Sequence, residues 1–305
     1  MRKTALLGIV AAVCLGCGAS PTTTGATSGD PLTGPPPDVQ TVFTIVFENE
    51  DASNVLTPGT FFSDASQQYG VATNYTSSTH PSLPNYIMMT SGSLNGITTD
   101  NDPTANVPVQ GHDHLAYQLD QKGVMWRAYM ESMDSPCNMT STTLYSAHHD
   151  PFLYYADLQN DPASCNQHVV DFDQNFAGDL ASGLYKYMWI TPNMCDDMHN
   201  CPLADADAWL KKTVGQIQAS DVWTKGKAAI FVLFDEGNSR APGASAALPT
   251  LVISNQLAQH SVTTAFDHRS YLATVEDIFG LGRLPTTADA TPMDAFFVPA
   301  TTVAP

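Results

Sequence analysis

The sequence predicts an α/β domain with a mostly parallel central sheet and helices on both faces. Three observations support this class: four short apolar runs typical of buried strands, helical stretches between several of them, and polar side chains directly after three of the runs. The apolar runs cover residues 42–47, 187–190, 229–234 and 251–254. We expect residues 40–305 to form one such domain, because roughly 260 residues is within the usual range of a single α/β domain.

The N-terminus is predicted to be an export signal over residues 1–17. Two basic residues precede an apolar run at residues 5–15, which is too short to span a bilayer as a helix. The segment resembles a bacterial lipoprotein signal, in which Cys17 would become the lipidated first residue. We therefore expect an exported protein, either a periplasmic or cell-surface lipoprotein anchored at Cys17, or a freely secreted one.

Residues 18–39 are rich in Pro, Gly, Thr and Ser and lack an apolar period, which predicts a disordered tether. Beyond the signal region the chain has four cysteines. An even number in an exported chain suggests two disulfides, for which three pairings exist. The short separation favours Cys195–Cys201 and leaves Cys137–Cys165.

The chain is strongly acidic, with a formal charge of −18. Cleavage of the predicted signal would remove Arg2 and Lys3 and leave two fewer positive charges. Such a surface repels nucleic acid and anionic lipid headgroups, so we expect neither as a partner. A phosphate-bearing substrate would need strong local positive charge, which a metal ion could supply more readily than the few basic side chains.

Acidic and amide side chains follow the predicted strands at their carboxyl ends. Glu48 and Asn49 come after residues 42–47, and Asp235 and Glu236 come after residues 229–234. A single acidic residue after a strand is usually a turn or a cap. Ligands of open α/β sheets, however, bind at the carboxyl ends of the strands, and these oxygen donors suit a divalent cation. The sequence therefore predicts one divalent metal ion of unknown identity; calcium, zinc, iron and manganese all fit the oxygen-rich set.

Ser82 lies between two prolines and just before an apolar run that predicts a helix. Proline fixes its own φ and keeps the preceding residue out of the helical region, so the backbone here is stiff. Pro84 suits the first turn of a helix. The Ser82 hydroxyl would then lie at a helix N-terminus, where unpaired N–H groups and the dipole favour negative charge. An ordinary N-cap serine is the alternative.

Several motifs occur in one order between residues 42 and 282: Phe47-Glu48-Asn49, His80-Pro81-Ser82-Leu83-Pro84-Asn85-Tyr86, His148-His149-Asp150-Pro151-Phe152, Thr191-Pro192-Asn193, Asp197-Met198-His199, Phe234-Asp235-Glu236-Gly237 and His268-Arg269-Ser270-Tyr271-Leu272. Together they resemble the acid phosphatase/phospholipase C (phosphoesterase) family of the alkaline phosphatase superfamily. Within that family the chain is most similar to the short secreted bacterial acid phosphatases. The resemblance implies an alkaline-phosphatase-like three-layer sandwich.

The resemblance also implies roles for particular residues. Ser82 matches the nucleophile, which would form a phosphoserine intermediate. The implied metal ligands are Glu48, Asn49, Ser82, Asp235 and Glu236. The implied substrate-site histidines, expected to bind phosphoryl oxygens and to protonate the leaving alcohol, are His148, His149 and His199. Protonated histidines would compensate for the scarcity of Lys and Arg.

The expected activity is metal-dependent hydrolysis of small phosphate monoesters outside the cytoplasm. The nearest alternative is a phosphodiesterase of the phospholipase C type, although the long C-terminal extension of the larger phospholipases is not matched here. A non-catalytic phosphate- or solute-binding lipoprotein is the alternative from another class. The physiological substrate and the oligomeric state are not predicted.

Four other histidines have open roles at this level. His112 and His114 have a spacing that suits metal binding, and a helix-start cap fits them equally well. His80 lies two residues before Ser82 and could pair with a backbone carbonyl. His268 matches a recurrent histidine of the family without an assigned role. The acidic pair Asp196 and Asp197 could belong to the site or simply shape a turn.

Overall fold

The computed structural model describes residues 36–238 and 247–299. The predicted signal, including Cys17, and most of the predicted tether lie outside the described residues. The folded part begins slightly earlier than predicted. Val39, which was assigned to the tether, is buried and packs in the hydrophobic core.

The fold is organised around an eight-stranded sheet, in the order β5-β4-β6-β1-β7-β8-β2-β9. Most neighbours are parallel, and β8 runs antiparallel to both β7 and β2. A separate two-stranded parallel sheet pairs β3 with β10. The strands are β1 Thr41–Phe47, β2 Gly70–Ala72, β3 Tyr75–Thr76, β4 Trp126–Met130, β5 Val169–Asp171, β6 Tyr187–Thr191, β7 Ala228–Phe234, β8 Leu251–Ser254, β9 Ser261–Val262 and β10 Phe266–Asp267.

Helices connect these strands. The α-helices are α1 Ala52–Val55, α2 Phe61–Gln68, α3 Ser82–Ser91, α4 Leu115–Lys122, α5 Ala156–Asn160, α6 Pro162–His168, α7 Phe172–Ser182, α8 Leu203–Ala219, α9 Asp221–Thr224 and α10 His268–Phe279. Short 3₁₀ helices cover Pro103–Ala105, Ala147–His149, Pro151–Tyr154 and Met293–Phe296. In the described part of the chain, no helix has the length and apolar character needed to cross a membrane.

Alternate residues of β1 contact helices on opposite faces of the sheet, as the two-residue repeat of a strand requires. Phe43 packs edge-on against Phe176 of α7, and Phe47 does the same against Trp209 of α8. On the other face, the Thr44 hydroxyl lies 2.5 Å from the Tyr271 hydroxyl of α10. The predicted class, a mostly parallel sheet covered on both faces, is confirmed.

All four predicted strands are present, with bounds within one residue of the apolar runs. The sequence did not predict β4 or β5. Arg127 interrupts the apolar character of β4, and β5 has only three residues. Short or interrupted strands take their conformation from their neighbours in the sheet rather than from a recognisable pattern.

Both edges of the large sheet are short and covered. The edge strand β5 has its Val169 carbonyl occupied by the Cys137 N–H at 3.0 Å. At the opposite edge, β9 has two residues, and the chain just before it binds the C-terminal segment. There the N–H groups of Ala258 and Gln259 both donate to the Phe296 carbonyl. Few backbone groups at either edge are therefore available for pairing.

Both expected disulfides are present. Cys137–Cys165 ties the segment after β4 to helix α6, and Cys195–Cys201 closes a short loop after β6. The pairing favoured by sequence separation is confirmed.

The longer disulfide loop should contribute more to stability than the shorter one, because cross-linking more distant residues restricts the unfolded chain more strongly. We expect Cys137→Ala with Cys165→Ala to lower the free energy of unfolding by about 3.5 kcal/mol. The matched control, Cys195→Ala with Cys201→Ala, should cost about 2 kcal/mol. Denaturant unfolding of both double variants measures the difference, and a larger loss in the control would contradict the expectation.

Candidate active site

The central strands β1 and β7 bring two acidic segments together. They pair in parallel, with Phe47 opposite Phe234, so the residues that follow them emerge side by side. The Asp235 N–H donates to the Phe47 carbonyl at 3.1 Å. Across the same gap, the Asn49 N–H donates to Asp235 Oδ1 at 3.3 Å. Sheet pairing alone therefore collects Glu48, Asn49, Asp235 and Glu236 at one carboxyl edge.

Helix α3 presents two side chains to Glu48. Ser82 is the first residue of the helix, and its Oγ donates to Glu48 Oε2 at 3.0 Å. Tyr86 lies four residues later on the same helix face, and its hydroxyl donates to Glu48 Oε1 at 2.6 Å. Ser82 is only 4% exposed. The predicted helix start at Ser82 is confirmed, and the serine hydroxyl lies against the carboxylate cluster.

The side chains of Asn49 and Glu236 complete the cluster. One end of the Asn49 carboxamide lies 3.0 Å from Glu48 Oε2 and 3.2 Å from Glu236 Oε1. If that end is the NH₂ group, it donates to both carboxylates; if it is the carbonyl oxygen, it adds a third oxygen suited to a cation. Glu236 Oε2 also receives the Asn85 Nδ2 at 3.2 Å and lies 2.9 Å from His80 Nδ1. His80 thus contacts a site carboxylate rather than a backbone carbonyl.

The start of α3 differs from the expectation in one respect. We expected its free N–H groups to face an anion. Instead, the Leu83 N–H donates to Asp100 Oδ1 at 2.9 Å, so a carboxylate of the chain already occupies this position. The helix dipole at the first turn stabilises the charge of Asp100. The Leu83 N–H is therefore not free to bind a phosphoryl oxygen.

His149 lies deepest among the predicted substrate-site histidines. It is 1% exposed and stacks on the Tyr86 ring at 5.2 Å with an interplanar angle of 3°. Its Nε2 lies 3.3 Å from Glu48 Oε1, and its Nδ1 lies 3.4 Å from Asp197 Oδ2. Both edges of the ring therefore face carboxylates.

His148 and His199 lie beside His149 and are more open to solvent. The rings of His148 and His149 meet edge-to-face at 4.6 Å, and the His149 and His199 rings are 6.0 Å apart. Burial lowers the pKa of His148 to about 4 and that of His149 to about 3, and neighbouring imidazoles add to both shifts. These two histidines are therefore neutral at neutral pH, and the positive charge expected of them is present only under acidic conditions.

The buried carboxyls of the cluster are held in an unfavourable environment. Burial raises the pKa of Glu48 well above its usual range, and the charges of Asp235 and Asp197 raise it further. Burial and the charge of Glu236 raise the pKa of Asp235 in the same way. Within residues 36–238 and 247–299, the buried Asp235 Oδ2 has no hydrogen-bond partner. Additional positive charge would relieve this repulsion.

His268 has a structural contact at the same site. Its Nε2 lies 2.7 Å from the Asp235 carbonyl oxygen, and its Nδ1 lies 3.0 Å from the Tyr75 hydroxyl. Because a carbonyl only accepts, Nε2 carries the proton and Nδ1 accepts from Tyr75. Burial lowers the pKa of His268 to about 4, consistent with this neutral form. His268 thus fixes the end of strand β7.

The pair His112 and His114 lies elsewhere, around Asp157. One ligand atom from each of the three residues lies within 4.8 Å of the others. His114 is the N-cap of α4, and its Nδ1 accepts the Tyr117 N–H at 3.3 Å. In the neutral ring, its Nε2 must then carry a proton, which is directed at Asp157 Oδ2 3.0 Å away. A protonated nitrogen cannot bind a metal, so this geometry favours the helix cap over the metal site.

Sequence reasoning gave no role to Tyr86, Asn85 or Asp100 and left Asp197 open. Tyr86 and Asn85 belong to the motif around Ser82, and their spacing of three and four residues from it was a usable signal. Asp100 comes from a distant loop, and nothing in the local pattern identifies it.

The Asp51 side chain approaches Gly237 closely. A Cβ at position 237 would overlap Asp51 Oδ1, the end of a side chain that can turn away. We expect Gly237→Ala to displace the Asp51 side chain and to lower the free energy of unfolding by about 1 kcal/mol. In Gly215→Ala, the added Cβ within helix α8 meets nothing within 4 Å. This control should raise stability by about 0.5–1 kcal/mol. Denaturant unfolding compares the two, and equal effects would refute the steric argument.

The buried carboxyls predict a stability that falls as pH rises. Burial raises the pKa of Glu131 and Asp294 to about 7 and that of Asp150 to about 8. At pH values between the ordinary carboxyl pKa near 4 and these raised pKa values, the folded state binds more protons than the unfolded state. The free energy of unfolding should therefore decrease through this range.

Thermal unfolding of the metal-free protein across that pH range measures the decrease. Asp294→Asn should flatten the dependence, because the amide does not titrate and its NH₂ group can replace the protonated carboxyl as a donor. A Tm that stays constant or rises between pH 4 and 7 would contradict the expected sign.

Known proteins resemble this chain in sequence and in fold. It is 28% identical over 226 residues to a probable acid phosphatase of Kluyveromyces lactis, covering 69% of this chain and 52% of that protein. It is 24% identical over 221 residues to the phosphatidylinositol-3-phosphatase of Mycobacterium tuberculosis, covering 70% and 68%. The chain thus spans about half the length of the fungal relative.

A solved structure confirms the predicted fold. A Vibrio parahaemolyticus protein in the alkaline phosphatase superfamily superposes with a TM-score of 0.58 at 12% identity, over 87% of this chain and 74% of that one. The family model described as the Phosphoesterase family matches residues 57–282, which include Ser82, the paired histidines and the acidic pair after β7. The chain belongs to the Phosphoesterase family.

Proposed function

We propose that this protein hydrolyses phosphate monoesters, with Ser82 as the nucleophile and a divalent cation at the carboxylate cluster. The observation that carries the proposal is the contact of Ser82 Oγ with Glu48 Oε2 at 3.0 Å, at the point where the segments after β1 and β7 meet. Family membership and the acid phosphatases among the similar proteins support the same chemistry.

The donor set fits a cation. Three buried carboxylates and an amide converge, and among the described residues Asp235 Oδ2 has no hydrogen-bond partner. Burial, and then the charges of neighbouring carboxylates, raise the pKa values of Glu48 and Asp235. Oxygen donors of this kind suit hard or borderline divalent ions. The residues that would hold the ion are Glu48, Asn49, Ser82, Asp235 and Glu236. When bound, the ion would favour ionisation of the serine hydroxyl and draw charge from the phosphoryl oxygens.

The residues of the chain suit the following steps of phosphoryl transfer. Ser82 Oγ forms a bond to phosphorus while the ester P–O bond breaks, and the serine proton passes towards Glu48 Oε2, which already accepts it. The leaving alcohol takes a proton from a histidine, for which the more open His148 and His199 are the candidates. Water then attacks the phosphoserine, releasing phosphate and restoring the hydroxyl. His149 is buried between the carboxylates of Glu48 and Asp197 and helps to orient them.

We also infer an acidic pH optimum. The pKa of His148 is lowered to about 4, so its acidic form is populated only at low pH. We propose a small phosphorylated alcohol as substrate, outside the cytoplasm. The two disulfides support an oxidising compartment. The lipid anchor at Cys17 and the predicted export signal remain predictions on residues outside the described part.

The test compares Ser82→Ala with Ser91→Ala, a serine that is also buried and ends the same helix. We expect Ser82→Ala to lower kcat for p-nitrophenyl phosphate by on the order of 10⁴-fold or more, because it removes the nucleophile. Ser91→Ala should retain turnover. Acid-quenched wild-type protein analysed by mass spectrometry should carry phosphate on Ser82.

Two further measurements complete the test. Chelation should abolish turnover and a divalent ion should restore it. The bis-aryl ester should be hydrolysed more slowly than the monoester. Turnover by a folded Ser82→Ala variant would exclude the serine mechanism, and preference for the diester would favour the phospholipase C-type activity. No phosphate release from any monoester would favour the binding lipoprotein.

A further inference from the structure

Helix α3 binds the carboxylates that follow both central strands of the sheet. The Tyr86 hydroxyl donates to Glu48 Oε1 at 2.6 Å, and the neighbouring Asn85 Nδ2 donates to Glu236 Oε2 at 3.2 Å. Glu48 comes directly after β1, and Glu236 comes just after β7. Consecutive residues of one helix therefore contact carboxylates from two strands, and the hydrogen bond from Tyr86 is the shorter of the two.

Tyr86 is held in place by its surroundings. Its side chain is completely buried, and its ring stacks on the His149 ring at 5.2 Å. The Trp189 ring of strand β6 lies 6.2 Å away at an interplanar angle of 57°. A buried hydroxyl that loses its acceptor is costly, because water does not reach it. The Tyr86 hydroxyl therefore has a fixed position against Glu48.

The two carboxylate oxygens of Glu48 have different neighbours. Oε1 receives the Tyr86 hydroxyl. Oε2 accepts from Ser82 Oγ at 3.0 Å and lies 3.0 Å from one end of the Asn49 carboxamide. Oε2 is therefore the oxygen that faces the other residues proposed to hold the cation. A hydrogen bond to the remaining oxygen of a metal-binding carboxylate fixes the orientation of that carboxylate.

We propose that Tyr86 is a positioning residue for the divalent cation. Its hydroxyl holds Glu48 Oε1 and so directs Oε2 towards Ser82 and Asn49, where the cation is proposed to bind. The helix that carries the proposed nucleophile thus also fixes a ligand of the ion. The inference rests on the proposed function, because it requires a cation at the carboxylate cluster.

Tyr86→Phe tests the proposal, since it removes the hydroxyl and retains the stacked ring. Calorimetric titration of the wild-type protein with Ca²⁺ and with Zn²⁺, a hard and a borderline ion, identifies the ion that binds more tightly. We expect Tyr86→Phe to raise the dissociation constant of that ion by about 10–100-fold, because Glu48 loses the partner that orients it. Asp235→Asn should abolish the same heat signal, which distinguishes the cluster from the rest of the acidic protein.

Tyr155→Phe is the matched control. The Tyr155 hydroxyl is also fully buried, and it lies 2.6 Å from the Thr90 hydroxyl of the same helix α3. Loss of either tyrosine hydroxyl should lower the free energy of unfolding of the metal-free protein by a similar amount, because each removes one buried hydrogen bond. The dissociation constant of the ion should rise only in Tyr86→Phe. A merely structural role for Tyr86 would leave both variants with the wild-type affinity.

Two further readouts do not depend on calorimetry. The ion concentration for half-maximal hydrolysis of p-nitrophenyl phosphate should rise in Tyr86→Phe by the same factor as the dissociation constant, and excess ion should restore turnover. Fluorotyrosine incorporated at position 86 keeps the hydroxyl and replaces Tyr86→Phe if that variant does not fold. Its fluorine NMR signal should shift when the ion binds, whereas the same label at position 155 should give an unchanged signal.

The outcomes distinguish this inference from the proposed function. Wild-type protein that binds neither ion would overturn the proposed cation and the role of Tyr86 with it. If the wild-type protein binds an ion and Tyr86→Phe binds it equally well, the role of Tyr86 is overturned and the proposed function stands. An unshifted fluorine signal at position 86 in the ion-bound protein has the same meaning. If the wild-type protein binds an ion and hydrolyses no monoester, the proposed function fails, while the affinities still test Tyr86.

Discussion

The burial of like charges at the ends of β1 and β7 is the constraint on which the site depends. Parallel pairing places Glu48 and Asp235 next to each other, and the core around them excludes water. Burial therefore raises the pKa values of Glu48 and Asp235, and the charge of Asp235 adds to the shift of Glu48. In this environment each hydrogen bond to a carboxylate contributes more to its stabilisation. The hydroxyls of Ser82 and Tyr86 donate hydrogen bonds to Glu48 and so stabilise its charge.

The remaining strands supply the other side of the site. Strand β6 lies next to β1 and carries the loop with Asp197, whose contacts reach Glu48 and both neighbouring histidines. Helix α3 links the two sides, because Tyr86 binds Glu48 and also stacks on His149. The carboxylates and His149 thus share neighbours, through hydrogen bonds at Glu48 and through ring stacking at His149.

The sequence predicted the parts of the fold and site that depend on local pattern. The apolar runs at β1 and β7 are continuous, and parallel strands must bring the residues after them together. It did not predict contacts that depend on distant packing. Asp100 meets Leu83 only after two loops are placed, and the low pKa of His148 follows from burial that composition does not reveal. The choice between cap and ligand at His114 needed the position of the Tyr117 N–H.

The covered sheet edges have a consequence for self-association. An exposed, long edge strand is a template on which other chains can add. Here β9 has two residues beside the Phe296 segment, and β5 has three residues capped by the Cys137 N–H. With its surface also strongly acidic, the folded protein offers little that would favour edge-to-edge aggregation or amyloid-like growth.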